Sequence, residues 1–259
     1  MGLKITLERG RNVRFPDKKI GSVADLLASL RSQTAAGKPV WYRGQTKKNW
    51  KLVPSLARRT KTAKAEATLI KAFKQNAVTF LASPPRTEWE WMFVMQHYRL
   101  PTRLLDWTES PLTALFFAVE QNPRHDGAVW CIDPIALNKH ANISFSFDAE
   151  VPAFDHDGVL ESYLPSHIAS ETTSDLHPIA AIASRNSPRI AAQLGTFTIT
   201  HRKHGPVEAV GDSTHVWRLI VPSAKKALIK EELALLKYSR LTLFPELDQV
   251  AAHAVEFLP

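Results

Sequence analysis

Gln96-His97-Tyr98-Arg99-Leu100-Pro101-Thr102-Arg103-Leu104-Leu105-Asp106-Trp107-Thr108 is the stretch on which the reading of this chain turns. Polar and apolar residues follow one another here without helical or strand periodicity, so the stretch predicts a connection. Glu88 to Tyr98, rich in aromatics, predicts a helix that Pro101 closes, because a residue before proline avoids helical angles. Ser110-Pro111 predicts the start of another, a capping serine followed by proline at the first helical position, running to about Gln121. A connection loaded with His, Arg, Thr, Asp and Trp between two helices is where binding sites tend to lie. A structural role is open too: Asp106 or Thr108 can accept from backbone N–H groups at the start of the next helix, and His97 can cap the previous one.

Outward from this stretch, Pro39 to Arg43 predicts a short buried strand followed by Gly44 and Gln45. Arg43 ends it with a group that cannot lose its charge, so the guanidinium must meet solvent, an anion or an internal acid such as Asp106. Ser22 to Leu30 predicts a capped helix. Ala63 to Leu81 predicts a long amphipathic helix, with Ala67, Ile70, Phe73, Ala77 and Phe80 on the side expected to pack on the sheet. Gly127 to Asp133 predicts a buried strand. Pro134 to Ser187 is poorly patterned. Thr196 to Thr200, His215 to Val221 and Leu241 to Phe244 predict strands, and Ala224 to Leu236 and Glu246 to Val255 predict helices. This irregular order predicts an α+β fold, a mixed central sheet with flanking helices, as one domain spanning residues 1–259.

A third segment, Arg185 to Phe197, predicts a turn, a short helical piece and entry into a strand, with Gln193 two residues before Gly195. A missing side chain at Gly195 lets a ligand or a backbone approach.

The composition is 44% hydrophobic and 22% charged, which fits a chain with a full core and excludes a disordered one. No apolar run is long enough to span a bilayer. The first residues are charged and lack the apolar core of a signal peptide. With a single cysteine, Cys131, no disulfide framework can form, and the expected setting is a reducing cytoplasm. Cys131 itself sits in an apolar run and reads as a strand residue.

The net charge of +8 predicts affinity for polyanions. Its basic clusters are Lys47, Lys48 and Lys51; Arg58, Arg59, Lys61 and Lys64; and Arg202, Lys203 and His204. The histidines 140, 156, 167 and 177 have no short ligand spacing, so no metal site is expected. No glycine-rich phosphate loop is present.

Taken together, the segments Tyr42-Arg43-Gly44-Gln45, His97 to Thr108 with Ser110-Pro111 and Ala114 to Ala118, Arg189-Ile190 with Gln193, Gly195 and Phe197, and Thr242 to Asp248 resemble the FRG domain family of bacterial defence and toxin–antitoxin proteins. That resemblance implies a fold like that of ADP-ribosyltransferases, NAD as the substrate that supplies ADP-ribose, and an anti-phage or toxin role with an antitoxin partner. By the resemblance, Arg43 would hold the NAD phosphates and Thr102 the ribose, with Tyr42, Gly44, Gln45, Tyr98 and Trp107 around the cofactor. The expected glutamate is replaced by Gln193-Leu194-Gly195, which leaves Asp106, Glu109 or Glu161 to supply the carboxylate that steadies an oxocarbenium-like state. His97 or Asp106 would serve as base, and Trp41, Trp107 or Tyr98 would stack on a ring. The catalytic set implied is therefore Arg43, His97, Asp106 and Gln193. The basic charge favours RNA as acceptor. The other readings are a non-catalytic nucleotide- or nucleic-acid-binding sensor and a nuclease using His97 and Asp106.

Overall fold

A computed structural model of the chain describes residues 14–34, 37–59, 63–143, 150–170, 176–185, 187–202 and 205–258. Seven strands, β1 (Lys18–Lys19), β2 (Trp41–Gln45), β3 (Leu104–Thr108), β4 (Gly127–Ile132), β5 (Ile179–Ala181), β6 (Gly195–Ile199) and β7 (Val216–Val221), form one sheet in the order β1-β7-β4-β2-β3-β6-β5. The β1–β7 pair is parallel and the others are antiparallel, so the sheet is mixed. Helices α1 (Val23–Gln33), α2 (Ala63–Ala77), α3 (Glu88–His97), α4 (Pro111–Val119), α5 (Pro134–Asn138), α6 (Pro165–Ser170), α7 (Pro188–Gln193), α8 (Lys226–Leu235), α9 (Arg240–Leu243) and α10 (Leu247–Val255) flank it. The predicted α+β class and mixed sheet are what the chain adopts.

The helix starts follow from local chemistry. The Ser22 hydroxyl accepts from Asp25 N at 3.1 Å, Thr87 from Glu90 N at 3.1 Å, and Ser110 from Thr113 N at 3.2 Å with Pro111 behind it. Each satisfies an N–H that the first helical turn leaves unpaired.

Three apolar clusters fix the layers. Leu26 and Leu30 of α1, Ala114, Leu115 and Ala118 of α4 and Ile229 and Leu233 of α8 pack on Tyr42, Val129, Cys131, Trp217 and Leu219. Trp89, Met92 and Phe93 of α3 pack with Leu104, Phe197 and Ile199. Trp41, Leu105, Trp107, Trp130 and Val216 form the third with Leu52, Leu137 and Val207. Alternation along β3 sends Leu104 to one cluster and Leu105 and Trp107 to another.

Gly44 is where α4 lies closest to the sheet. A Cβ there would overlap the Ala114 carbonyl oxygen and come within 2.7 Å of Ala118 N, so only glycine lets β2 and α4 touch.

Four expectations are corrected. The connection from Gln96 to Thr108 contains a central strand, β3, which is buried except at Asp106 and so lacks the amphipathic period of a half-exposed strand. Leu241 to Phe244 is helical, not extended: Ser239 and Thr242 form a capping box that starts α9. The helix expected to reach Leu81 ends at Ala77 and passes into a 3-10 turn, leaving Phe80 exposed. It packs on α6 and α3, not on the sheet. Among its described side chains the buried one is Glu66, whose carboxylate receives Arg103 Nε at 2.8 and 2.7 Å.

β2 and β3 meet at one residue pair, Tyr42 with Thr108, while β2 runs beside β4 over five pairs and β3 beside β6 over five. Beyond Tyr42 the two strands part.

Candidate functional site

The parting of β2 and β3 opens a cleft of about 910 Å³. It is bordered by Arg43 of β2, Asp106 of β3, Gln96 and His97 of α3, Phe117 of α4 and Arg189 of α7. That size is within the range of small-molecule sites. The three segments singled out in the sequence therefore converge on one place.

At the floor, Arg43 Nη1 donates to the Asp106 backbone carbonyl and lies 3.7 Å from Asp106 Oδ2. The guanidinium thus replaces a strand partner in the gap and meets Asp106, the internal acid that the sequence reading named among its partners. Its Nε is buried and has no partner among the described residues. Burial pulls the Arg43 pKa down, Asp106 opposes this, and Arg58 adds to the lowering. The group remains a cation, because arginine does not deprotonate in proteins.

The Asp106 carboxylate stays 54% exposed in the cleft. Gln96 Nε2 reaches both of its oxygens at 3.0 Å, and Gln96 Oε1 accepts from the Thr102 hydroxyl. Thr102 itself is 2% exposed and absent from the cleft wall. It was expected to hold a ribose. Instead it orients Gln96, which orients Asp106. Gln96 had no assigned role in the sequence reading, because an amide at a helix end carries no signature.

The expected stacking tryptophans are corrected. Trp107 is 3% exposed and gives its indole N–H to Thr198 at 3.0 Å, and Trp41 is buried in the same cluster. A tryptophan in the middle of a short internal strand fills the core. The accessible aromatics at the cleft are Tyr98, 57% exposed, and Trp50, 47% exposed. Trp50 was missed, although its setting, Lys47-Lys48-Asn49-Trp50-Lys51, places an aromatic inside a basic run. Lys47 Nζ lies 5.8 Å from its ring centroid.

Of the Tyr42-Arg43-Gly44-Gln45 quartet, Arg43 alone offers a charged group to the cleft. Tyr42 is in the core, with its phenol pushed up by burial, and the Gln45 amide accepts from Trp130 Nε1 at 3.0 Å. Gln193 borders the cleft, but its side chain donates to the Leu243 carbonyl at 2.9 Å and its own carbonyl accepts from Thr108 at 2.5 Å. It ties α7 to α9 and to β3. The close neighbour of Gly195 is Ile190 of α7.

His97 stands beside Tyr98, with Nδ1 3.8 Å from Glu246 Oε1, and Arg189 contacts the same oxygen at 3.5 Å while covering the Phe244 ring at 4.6 Å. Burial lowers the His97 pKa; Glu246 opposes it and Arg189 adds to it. The imidazole is therefore neutral near pH 7 and able to accept a proton.

Among the candidate carboxylates, Glu109 is paired with Arg185 and, like Glu161, is not part of the cleft wall. Asp106 is the one that the cleft contains. Lys51, Arg58 and Arg86 also border it, and no side-chain partner holds them among the described residues. Lys48, in contrast, is bound to Asp126 at 2.9 Å. Lys61, the Lys64 side chain, Lys203 and His204 lie outside the described residues. Among the described residues no helix is long and apolar enough to cross a membrane.

Fold and site together define an α+β protein with a cationic cleft at a split in its sheet. Residues 38–127 match the family model of the FRG domain, so the chain carries an FRG domain. That stretch contains Arg43, Gln96, His97 and Asp106. No curated protein and no solved structure matched the chain.

Proposed function

We propose that the cleft binds NAD and that the protein transfers ADP-ribose from it to RNA, as a cytoplasmic toxin or anti-phage effector. The observation that carries this reading is Arg43: a half-buried cation whose buried Nε has no partner among the described residues, set beside an exposed carboxylate, in a cleft bordered by Lys51, Arg58 and Arg86. A buried donor without an acceptor on a cleft wall is a place where a ligand supplies one. A guanidinium fork suits a pyrophosphate.

In the proposed reaction the bond between the ribosyl carbon and the nicotinamide nitrogen breaks, and its electron pair leaves with neutral nicotinamide. Asp106 stabilises the positive ribosyl carbon, held by Gln96. The acceptor hydroxyl or amine attacks that carbon and gives its proton to His97, which burial keeps unprotonated. Trp50, between Lys47 and Lys51, is placed to stack an acceptor base whose flanking phosphates meet Lys51 and Arg58. Strands on both sides of residues 38–127 join one sheet, which supports treating the chain as a single FRG-type domain.

The test is incubation of the purified chain with NAD, with and without total RNA, measuring nicotinamide release and RNA mass. Release that rises with RNA, together with modified nucleotides, is the expected result. Saturable NAD binding without release would instead make the protein a nucleotide sensor, and absence of both would remove NAD altogether.

A further inference from the structure

Away from the cleft, three residues expected to play no joint part come together. His140 follows α5, while Asp212 and His215 lie in the turn that leads into β7. One donor atom of each is within 4.8 Å of the others. None of the three borders the cleft. Of the four histidines considered in the sequence, His140 alone takes part, and its partners lie more than seventy positions away. That separation is why no ligand spacing was legible.

Each side chain has its donor already selected. His215 is fully buried, and its Nε2 lies 2.9 Å from the Val207 carbonyl. That contact fixes the proton on Nε2 and leaves Nδ1 with a lone pair; Nδ1 is buried and has no partner among the described residues. A second-sphere carbonyl on the far nitrogen is the usual companion of a metal-binding imidazole. His140 rests over Gly211, so tightly that a Cβ on that glycine would lie 2.5 Å from His140 Nδ1. Gly211 has φ +56, which glycine adopts without cost. The ring therefore turns its Nε2 outward, 3.6 Å from Asp212 Oδ1. Asp212 is itself oriented: its Oδ1 accepts from Thr214 N at 3.0 Å and from the Thr214 hydroxyl at 2.8 Å, which leaves Oδ2 for another partner.

We infer that His140, Asp212 and His215 form a binding site for a late first-row divalent cation, zinc above all, that clamps the end of α5 to the start of β7. Two imidazoles and one carboxylate are a borderline donor set of the kind that zinc takes, with water completing four-coordination. Zinc–nitrogen bonds of about 2.0–2.1 Å bring tetrahedral donors to roughly 3.3 Å apart. Closing from the present separations requires rotation of two side chains that are partly exposed, His140 and Asp212. His215 is the fixed point.

The probe is Zn²⁺ alone, added to tag-free full-length protein that has been stripped with chelator and desalted. Titration calorimetry and thermal unfolding are read on the parent chain and on His140→Ala and Asp212→Asn, both at partly exposed positions. His215→Ala removes a core ring and would confound folding with binding, so it is not the deciding variant. The expected results are one saturable zinc per chain, a raised Tm, and affinity at least tenfold lower in each variant. Co²⁺ in place of Zn²⁺ should give the visible bands of a four-coordinate ion in the parent and lose them in both variants. Absence of saturable binding by the parent, or one-to-one binding left unchanged by both substitutions, would overturn the site.

Discussion

Arg103 Nε lies 2.8 and 2.7 Å from the two carboxylate oxygens of Glu66, with both side chains sealed from solvent. Arg103 also donates to the carbonyls of Thr200 and Tyr163, each at 2.6 Å, so one guanidinium joins α2, the start of β3, the end of β6 and the segment before α6. Removing one partner of a buried pair leaves the other charge uncompensated, at a cost of about 3–5 kcal/mol. Glu66→Gln should therefore lower stability in urea by that amount. A double change, Glu66→Leu with Arg103→Met, should recover part of the loss but remain below the parent, because the Thr200 and Tyr163 carbonyls lose their donor. A double variant as stable as the parent would show that those carbonyls find other partners.

Arg43 and Asp106 should separate binding from chemistry. Arg43→Ala is expected to abolish NAD binding measured by calorimetry. Arg43→Lys should not rescue it, since an ammonium cannot span both the Asp106 carbonyl and a phosphate. Asp106→Asn should leave NAD binding within a few fold and lower the rate of nicotinamide release by about 10²–10³, the usual effect of losing one electrostatic stabiliser. Equal loss of binding and rate in Asp106→Asn would place that residue in ground-state recognition.

Trp50, Lys51 and Arg58 should govern the polyanion. Trp50→Ala is expected to weaken single-stranded RNA binding by about 1–3 kcal/mol, the range for loss of one stacked base. Lys51→Glu with Arg58→Glu should weaken RNA binding and flatten its dependence on salt, while NAD hydrolysis to water continues. Lys48 is engaged by Asp126, so its reversal should act on stability more than on RNA affinity. RNA affinity indifferent to salt would exclude this surface as the contact.

His97 gives a pH signature whose sign is fixed by its environment. Burial lowers its pKa in the folded chain, although Glu246 opposes that. The unfolded chain then binds more protons than the folded one between the folded pKa and the ordinary value near 6.5. The stabilisation is fully present above about pH 6.5 and is lost as pH falls through the folded value. Denaturation from pH 8 to pH 5 should show this decline, and His97→Gln should make the slope shallower. An unchanged slope would assign the decline to other groups, such as the buried His215.

Local chemistry made much of this molecule legible. Ser22, Ser110 and Pro111 announce their helices because a capping hydroxyl acts within three residues. Gly127 to Ile132 announces a strand because its neighbours on both faces are apolar. The site was legible as three segments, since Arg43 in one, His97 and Asp106 in the next and Arg189 in the last are charged or polar groups where a core would exclude them. Their partners were not. That Trp107 turns inward and Trp50 outward, and that Glu66 meets Arg103, depend on which strand lies beside which. Those facts are set by chain crossings that no short window of sequence contains.

The single pair joining Tyr42 to Thr108 makes the sheet two plates on a shared pin. One plate carries β1, β7, β4 and β2, the other β3, β6 and β5, and Arg43 is the latch across the gap through its hold on the Asp106 carbonyl. Swinging one plate against the other would strain that latch, that pin and the third apolar cluster, in which Leu105 and Trp107 of one plate pack with Trp41, Trp130 and Val216 of the other. A ligand that took over the Arg43 guanidinium would release the latch as it entered. The apolar packing across the seam would still hold the plates together, so the opening would widen only at the Arg43 end.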